Sequence, residues 1–221
     1  MTQEMQNPPR AAEELAADSA SARLRAAMAA GTNPQPALVA ALVARCAVEP
    51  DFSVRETLTW ALTRQPADLT LPPLLDQLVS ALPQARSQAL HTLSKIGDRR
   101  AWPALTRELL TDADDEVARS AWRAAVVLVP EGERHALAVA LATQLGRGER
   151  ETRLSLSRAL IALGETTRPA LHTALKSPDD RVRAHAHATE RLRRDPEAGF
   201  EYALEEAKRV AVLGPDGRKE G

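Results

Sequence analysis

Arginine, tryptophan and histidine recur at matching positions along the chain, and side chains of these types are suited to recognising another macromolecule. A dipeptide in which an aliphatic or small residue precedes arginine recurs along the chain, once in a degenerate form, and serves as a landmark. Each candidate lies two to nine residues after the first residue of one copy of this landmark. Tryptophan and arginine are enriched among the residues that contribute most to protein–protein binding. If these positions share one face of successive helices, they predict a partner-binding surface made of Glu56, Trp60, His91, Arg119, Trp122, Arg123, Arg158, His187 and Arg191.

The same residues also have structural interpretations, and the sequence leaves these open. Trp60 and Trp122 could instead fill gaps between alanine-rich helices. The arginines could form a solvated face or pair with acidic neighbours. The binding surface is therefore one hypothesis and helix packing is the other.

Residue types that support catalysis or bind metal are not grouped in the sequence. Of the five histidines only His185 and His187 are close, and residues two apart on a helix point in different directions. The Gly146-Arg-Gly148 turn lacks the Lys-Ser/Thr of a phosphate-binding loop. We expect no catalytic residue, no cofactor and no metal.

Composition favours closely packed helices. Aromatic residues make up 3% of the 221 residues and hydrophobic residues 44%, so a core must consist mainly of Ala, Leu and Val. The net charge is −1, so a surface for nucleic acid would need local segregation of basic residues. The single cysteine, Cys46, lies at helical spacing and is predicted to be a buried apolar residue. There is no signal-peptide pattern and no apolar run of membrane-spanning length, which predicts a cytoplasmic protein that does not contact a membrane.

The dipeptide landmark recurs every 30 to 35 residues, which predicts helix pairs in tandem. Acidic residues precede most copies and can cap the helix that follows. A proline before an apolar pair begins the other helix of each unit, where its missing N–H has no helical partner. This second landmark occurs at Pro36, Pro73, Pro103 and Pro169.

These units resemble short bacterial HEAT repeats of the kind called PBS-lyase HEAT-like, over about residues 34–195. The segment "RPALHTALKSPDDRVRAHA" (168–186) is the closest copy. A chain with one tyrosine cannot supply tetratricopeptide repeats, and the Thr-Pro-Leu-His turn of ankyrin repeats is absent. The resemblance implies a structural ladder in which the landmark arginines satisfy the acidic turn of an adjacent repeat. These arginines are Arg55, Arg86, Arg153 and Arg183.

The predicted fold is all-α: a right-handed α-solenoid of about five HEAT-like helix pairs with capping helices at both ends. We expect a single domain over 11–213, with repeats at 34–66, 67–100, 101–133, 134–166 and 167–195. An alanine-rich helix over 11–30, closed by Gly31, is the expected N-terminal cap, and residues 199–213 the C-terminal cap. Residues 1–10 and 214–221 are predicted to be disordered.

The predicted function is a non-enzymatic scaffold, with a possible regulatory use left open, that binds another protein through the concave face of its second helices. A nucleic-acid-backbone binder is the alternative. HEAT-like DNA glycosylases pair a tryptophan with an aspartate four residues later, but Arg64, Thr106 and Val126 occupy those places here. Iron-binding HEAT-like hydroxylases are not matched, because no His-Glu dipeptide occurs. Bilin lyases share the repeat type, but a shared fold is no warrant for function.

Overall fold

The computed structural model describes residues 8–195, and the part of the chain that it describes is helical, with no strand. The fold is all-α, as predicted. Short 3-10 segments occur at Pro36–Leu38, Arg99–Ala104, Glu131–Glu133 and Gly164–Thr167. The α-helices are α1 (Pro8–Leu15), α2 (Ala20–Thr32), α3 (Val39–Val48), α4 (Phe52–Thr63), α5 (Ala67–Gln77), α6 (Pro83–Ile96), α7 (Arg107–Leu110), α8 (Asp115–Leu128), α9 (Arg134–Ala142), α10 (Arg150–Ala162), α11 (Arg168–Ala174) and α12 (Asp180–Arg194).

The chain divides into two compact units, one ending at Leu109 and the other beginning at Leu110. The first unit holds α1 to α6, and the second holds α8 to α12. Within each unit the helices alternate as the first and second members of a pair. The second helices are the ones that carry the landmark dipeptide: α4, α6, α8, α10 and α12. Neighbouring second helices pack on one another, as α4 does on α6 and α8 on α10. That the repeats form a single domain over 11–213 stays a prediction.

Acidic residues in the turns start several second helices, as predicted. The carboxylate of Asp51 accepts a hydrogen bond from the Val54 N–H at the start of α4. Asp114 and Asp179 cap α8 and α12 in the same way. Gly97 ends α6 in the left-handed conformation (φ +71°), and its N–H donates to the Leu93 carbonyl.

The N-terminal prediction needs two corrections. Helix α1 begins at Pro8, inside the segment predicted to be disordered, because proline fits a first helical turn. The expected single helix over 11–30 is two helices, with a break at residues 16–19. Gly31 does not close a helix, because α2 continues to Thr32.

Proline does not begin the first helix of every pair. Pro169 lies in the first turn of α11, but Pro73 lies inside α5, which begins at Ala67. Pro103 lies within the 3-10 segment Arg99–Ala104, and the third pair has only this segment and the four-residue α7 in place of a full first helix. A proline in a helix interior removes one hydrogen bond and crowds the preceding turn.

Buried Ala, Leu and Val side chains form the core of each unit. Cys46 is buried among them, as predicted, and burial raises the pKa of its thiol to about 12. Over residues 8–195, no helix combines the length and apolar character needed to cross a membrane. The predicted C-terminal cap (199–213) and tail (214–221) lie outside the described residues, as do residues 1–7.

Candidate functional site

The candidate binding residues lie along the second helices. Whether a side chain there is buried depends on its distance in sequence from the first residue of the landmark dipeptide. Positions two, six and nine residues after the landmark's first residue are exposed or half-buried in most copies, and we call this line the outer edge. In the first unit it includes Glu56, Trp60 and His91, and in the second Arg119, Arg123 and Arg158. These six candidates therefore lie where the sequence predicts them.

Position five is buried in four of the five copies, which the sequence did not predict; in the fifth it is the half-buried His187. Thr59, Leu90, Trp122 and Ser157 all occupy this position and are buried. The Thr59 hydroxyl lies 3.4 Å from that of Thr92 on α6, and the Ser157 hydroxyl 2.7 Å from that of Thr189 on α12. At Thr59 and Ser157 position five thus contacts the neighbouring second helix, because a stacked helix is contacted from the side as well as from its own pair.

Trp122 is the most important correction. It was predicted to lie on the binding face, but its side chain is fully buried. Its indole N–H donates to the Leu110 carbonyl at 2.8 Å, and the Arg147 guanidinium lies 6.0 Å from the ring centroid. Trp122 is a core residue, so the packing interpretation is the correct one for this tryptophan.

The Trp60 side chain is partly packed against Gly31 and partly exposed to solvent. Its ring lies against Gly31, so closely that a Cβ at that position would be 2.2 Å from Trp60 Cζ3. The residue nevertheless keeps 42% of its surface exposed. Met28, one turn before Gly31 on α2, is 52% exposed. The first unit therefore presents exposed apolar surface at its outer edge.

Glu56 and His91 form a polar contact beside this surface. The His91 Nε2 atom lies 3.2 Å from Glu56 Oε1. The two residues belong to adjacent second helices, α4 and α6. The contact links neighbouring repeats and leaves the Glu56 side chain 44% exposed.

In the second unit the outer edge borders a groove of about 530 Å³ between α8 and α10. Residues from Arg119 to Val127 form one wall and residues from Arg150 to Ala162 the other. The half-buried side chains of Val126 and Leu154 make the groove apolar along its base. Its polar lining consists of Arg119, Arg123, Arg150, Glu151, Ser155 and Arg158.

The arginines of this groove differ in their partners. Arg119 lies 3.3 Å from both Glu116 and Glu151. Arg123 lies 3.3 Å from Glu116 and donates to the Ser120 hydroxyl at 2.9 Å. Arg158 is exposed and forms no ion pair with any of residues 8–195.

The last two candidates lie on α12. His187 is half-buried, and the pKa of its imidazole is lowered by burial and by Arg183, against a smaller opposing effect of Glu190. Arg191 is also half-buried. Neither lines the groove between α8 and α10.

The landmark arginines have a different role from the one implied by the resemblance. Arg55, Arg86 and Arg183 each donate from Nη1 to the carbonyl six residues earlier, in the turn of their own pair. Arg183 also pairs with Asp180. Arg153 is half-buried and shows no such bond to the described residues. The acceptors of these three Nη1 groups are therefore carbonyls of the turn within one pair, where the resemblance implied acidic side chains of an adjacent repeat.

Other residues form the contacts between adjacent repeats, and the sequence analysis missed them. Arg147 binds the carboxylate of Asp115 at 2.8 Å and also the Asp112 carbonyl. In the first unit Gln84 donates to the Glu49 carbonyl at 2.8 Å. A separation close to the repeat length was the available signal for both contacts.

A serine and a histidine meet inside the second unit, but their geometry does not support catalysis. The Gly146 N–H donates to His185 Nδ1 at 3.0 Å, which places the proton of the neutral ring on Nε2. That nitrogen lies 2.9 Å from the Arg153 carbonyl and 3.1 Å from the Ser157 hydroxyl. A protonated Nε2 cannot accept the serine proton, and both side chains are fully buried. Burial, the largest influence, lowers the pKa of His185 to about 4.

Metal-ligating side chains are also dispersed. Within the described ranges, no three His, Cys, Asp or Glu side chains come together in a way that could hold a metal ion.

Two solved structures are similar to this chain. The chain is similar to a chain of the complex of CpcE and CpcF of phycocyanin lyase from Nostoc sp., with 18% identity, 96% of this chain and 89% of that chain covered, and a TM-score of 0.49. It is also similar to human deoxyhypusine hydroxylase in complex with glycerol, with 19% identity, coverages of 94% and 95%, and a TM-score of 0.47.

No protein of curated function is significantly similar in sequence. The family of HEAT repeats matches residues 40–126, from the start of α3 to near the end of α8. Residues 40–126 are similar to HEAT repeats, which confirms the predicted resemblance in this part of the chain.

Proposed function

We propose that the protein is a non-enzymatic HEAT-repeat module that binds another protein through the outer edge of its second helices. The observation that carries this proposal is exposed apolar and cationic surface along that edge. Trp60 is 42% exposed in the first unit. In the second, the exposed Arg158 lies on this edge and lines the same groove as Val127, which is 48% exposed. Isolated exposed apolar residues are ordinary, but tryptophan and arginine at the centre of an apolar patch are typical of binding hot spots.

A nucleic-acid backbone is the second candidate, and the four arginines around one groove favour it. Two features weigh against it. Arg119 and Arg123 already pair with Glu116, and Glu151 lies on the same rim with 75% of its side chain exposed. Phosphates would meet these carboxylates as well as the arginines.

The test is affinity purification of the full chain from its native source, with nuclease treatment, followed by mass spectrometry. The test variant is Trp60→Ala combined with Arg158→Glu. The matched control is Val79→Ser combined with Arg181→Glu, which changes an exposed apolar and an exposed cationic residue that do not line the groove between α8 and α10. Circular dichroism and melting curves establish that both variants fold.

We expect the control to retain a specific partner and the test variant to lose it. Truncating a buried interfacial tryptophan costs about 2 kcal/mol or more, which is roughly thirtyfold in Kd. If nuclease treatment releases everything that the wild type captures, nucleic acid is the ligand. If a folded test variant keeps every partner, the outer edge is ordinary solvated surface and the proposal is wrong.

A further inference from the structure

The groove between α8 and α10 has the dimensions of a short helical segment. Its α10 wall runs from Arg150 to Ala162. At 1.5 Å per residue this wall is roughly 18 Å long, the length of about three helical turns. A helix that lies between two others presents one apolar stripe to the groove and keeps its remaining faces in water.

The base of the groove can accept such an apolar stripe. Val126 and Leu154 are half-buried there, one from each wall, and Ala159 is buried. Val127 is exposed at the side. These side chains are small or branched and carry no polar atom, so they offer nothing to a phosphate or a sugar.

The rim of the groove selects the charge of what binds. The groove is lined by four arginines, Arg119, Arg123, Arg150 and Arg158, and by one carboxylate, that of Glu151. Glu116 lies outside the lining and pairs with Arg119 and Arg123. The cations outnumber the anions, and Arg158 forms no ion pair among the residues that the structure describes. An occupant with carboxylates beside its apolar stripe would complement this rim.

We propose that this groove binds an acidic amphipathic helical segment of the partner protein, with its apolar stripe on Val126 and Leu154 and a carboxylate on Arg158. This inference rests on the proposed function, because it names the chemistry of the partner at one part of the outer edge. In the occupant, apolar residues recur at i, i+3 or i+4 and i+7, and an acidic residue flanks the stripe.

A selection from displayed helical peptides tests the proposal. The library carries an alanine-based helix of about three to four turns, with Glu, Lys, Gln, Leu and Ser equally represented at the varied positions. It is selected on the full chain at physiological salt. Individual peptides are then measured by fluorescence anisotropy against the wild type, Arg158→Glu, Val127→Ser, Trp60→Ala and the matched control Arg181→Glu. A random duplex DNA of matched length is measured in parallel.

We expect enrichment of peptides that combine glutamate with a leucine stripe. Their Kd should rise about tenfold or more for Arg158→Glu, stay unchanged for Arg181→Glu, and respond less to salt once Arg158 is reversed. Enrichment of basic or neutral peptides, absence of enrichment, or equal binding to Arg158→Glu would overturn the proposal. So would duplex DNA that binds more tightly than every peptide and is lost with Arg158→Glu.

The failure of this inference is distinguishable from the failure of the proposed function. Peptides that lose binding with Trp60→Ala and not with Arg158→Glu would place protein binding on the first unit and remove it from the groove. If the chain enriches no peptide and yet retains a nuclease-resistant partner, protein binding is supported and the groove is not its site.

Discussion

Trp60 combines a packing role with an exposed surface, and Gly31 makes this possible. The indole ring covers Gly31 because the glycine has no Cβ, and the rest of the side chain stays in water. The glycine therefore allows α2 and α4 to approach each other closely, and it does not end a helix. The packing and binding interpretations, which the sequence left open, are both compatible with this one residue.

Substitution of Gly31 tests the close contact. Alanine in place of glycine in a helix interior ordinarily stabilises by about 1 kcal/mol. Here the new Cβ would meet the Trp60 ring, so we expect Gly31→Ala to lower the free energy of unfolding by about 1 kcal/mol. In a Trp60→Ala background the same substitution should raise it by about 1 kcal/mol.

Urea unfolding of the two single variants and the double variant gives the coupling between the positions. A change of sign between the two backgrounds supports the contact. The same effect of Gly31→Ala with and without the Trp60 ring would contradict it.

His185 shows a different consequence of burial. Its imidazole is enclosed among residues of α10, α12 and the Gly146 turn, and burial favours the neutral ring more strongly than the hydrogen bond to the Arg153 carbonyl favours the charged one. The nearby positive charge of Arg153 also disfavours the charged form. This residue therefore couples the stability of the second unit to pH.

At the scale of the element, the landmark arginine stabilises the turn between the two helices of its pair. A backbone carbonyl that is partly shielded from water needs a hydrogen-bond donor. Arg55, Arg86 and Arg183 each supply a guanidinium N–H to a carbonyl of this turn, at 2.7–3.0 Å. The dipeptide thus joins the two helices of one pair, which explains why it recurs at the period of the repeat.

Arg183→Ala tests this role. The Arg183 side chain is 23% exposed and donates to the Ser177 carbonyl at 2.7 Å. We expect the free energy of unfolding to fall by about 1 kcal/mol, because the carbonyl loses a charged donor while partly shielded from water. The matched control is Arg181→Ala, an exposed arginine on the same helix, which should change stability by less than about 0.5 kcal/mol. If thermal unfolding shows equal effects of the two substitutions, the hydrogen bond from Arg183 to the turn does not stabilise the protein and this role is refuted.

The second helices could be predicted from the sequence because several local signals agree there. The acidic caps, the landmark dipeptide and the apolar period all indicate the same starts, and Asp51, Asp114 and Asp179 cap as predicted. The first helix of the third pair could not be predicted in this way. Pro103 resembles a helix start, yet it lies inside a 3-10 segment.

The candidate site was predicted in part, for a geometrical reason. A helical wheel drawn from one buried residue assigns the opposite side to solvent, which is correct for Arg123 and Arg158. It is wrong for position five, where Trp122 is buried and donates to the Leu110 carbonyl, and Ser157 contacts Thr189 of the neighbouring second helix α12. A wheel contains no neighbouring repeat, so it cannot distinguish the side of a helix from its outer edge.

At the scale of the whole molecule, each unit contains its own buried titratable centre. In the first unit Glu49 is fully buried and accepts from Arg23 at 2.7 and 2.8 Å, from Arg45 at 2.7 Å and from the Asp51 N–H at 2.9 Å. Burial alone would raise the pKa of Glu49, but these hydrogen bonds lower it to about 2. In the second unit His185 is buried in its neutral form.

Both pKa values lie below their ordinary values, so both centres lose stability on acidification, in different ranges of pH. For His185 the unfolded chain takes up a proton below pH 6.5 and the folded chain only near pH 4. Its contribution is therefore complete above pH 6.5 and is lost between 6.5 and about 4. For Glu49 the unfolded carboxylate takes up its proton below pH 4.5, so its contribution is lost between 4.5 and about 2.

We therefore expect acid to weaken the second unit before the first. Hydrogen-exchange protection factors, corrected for the intrinsic effect of pH, should fall in α10 and α12 on going from pH 6.5 towards 4, while those of α2 and α4 stay high until the pH falls below 4.5. The loss in the second unit should be about 3 kcal/mol at most, from the shift of the His185 pKa. His185→Gln cannot titrate, so it should lower stability at neutral pH and flatten the decline in the second unit. Protection that falls first in α2 and α4, above the ordinary pKa of Glu49, would show that other groups determine the acid response.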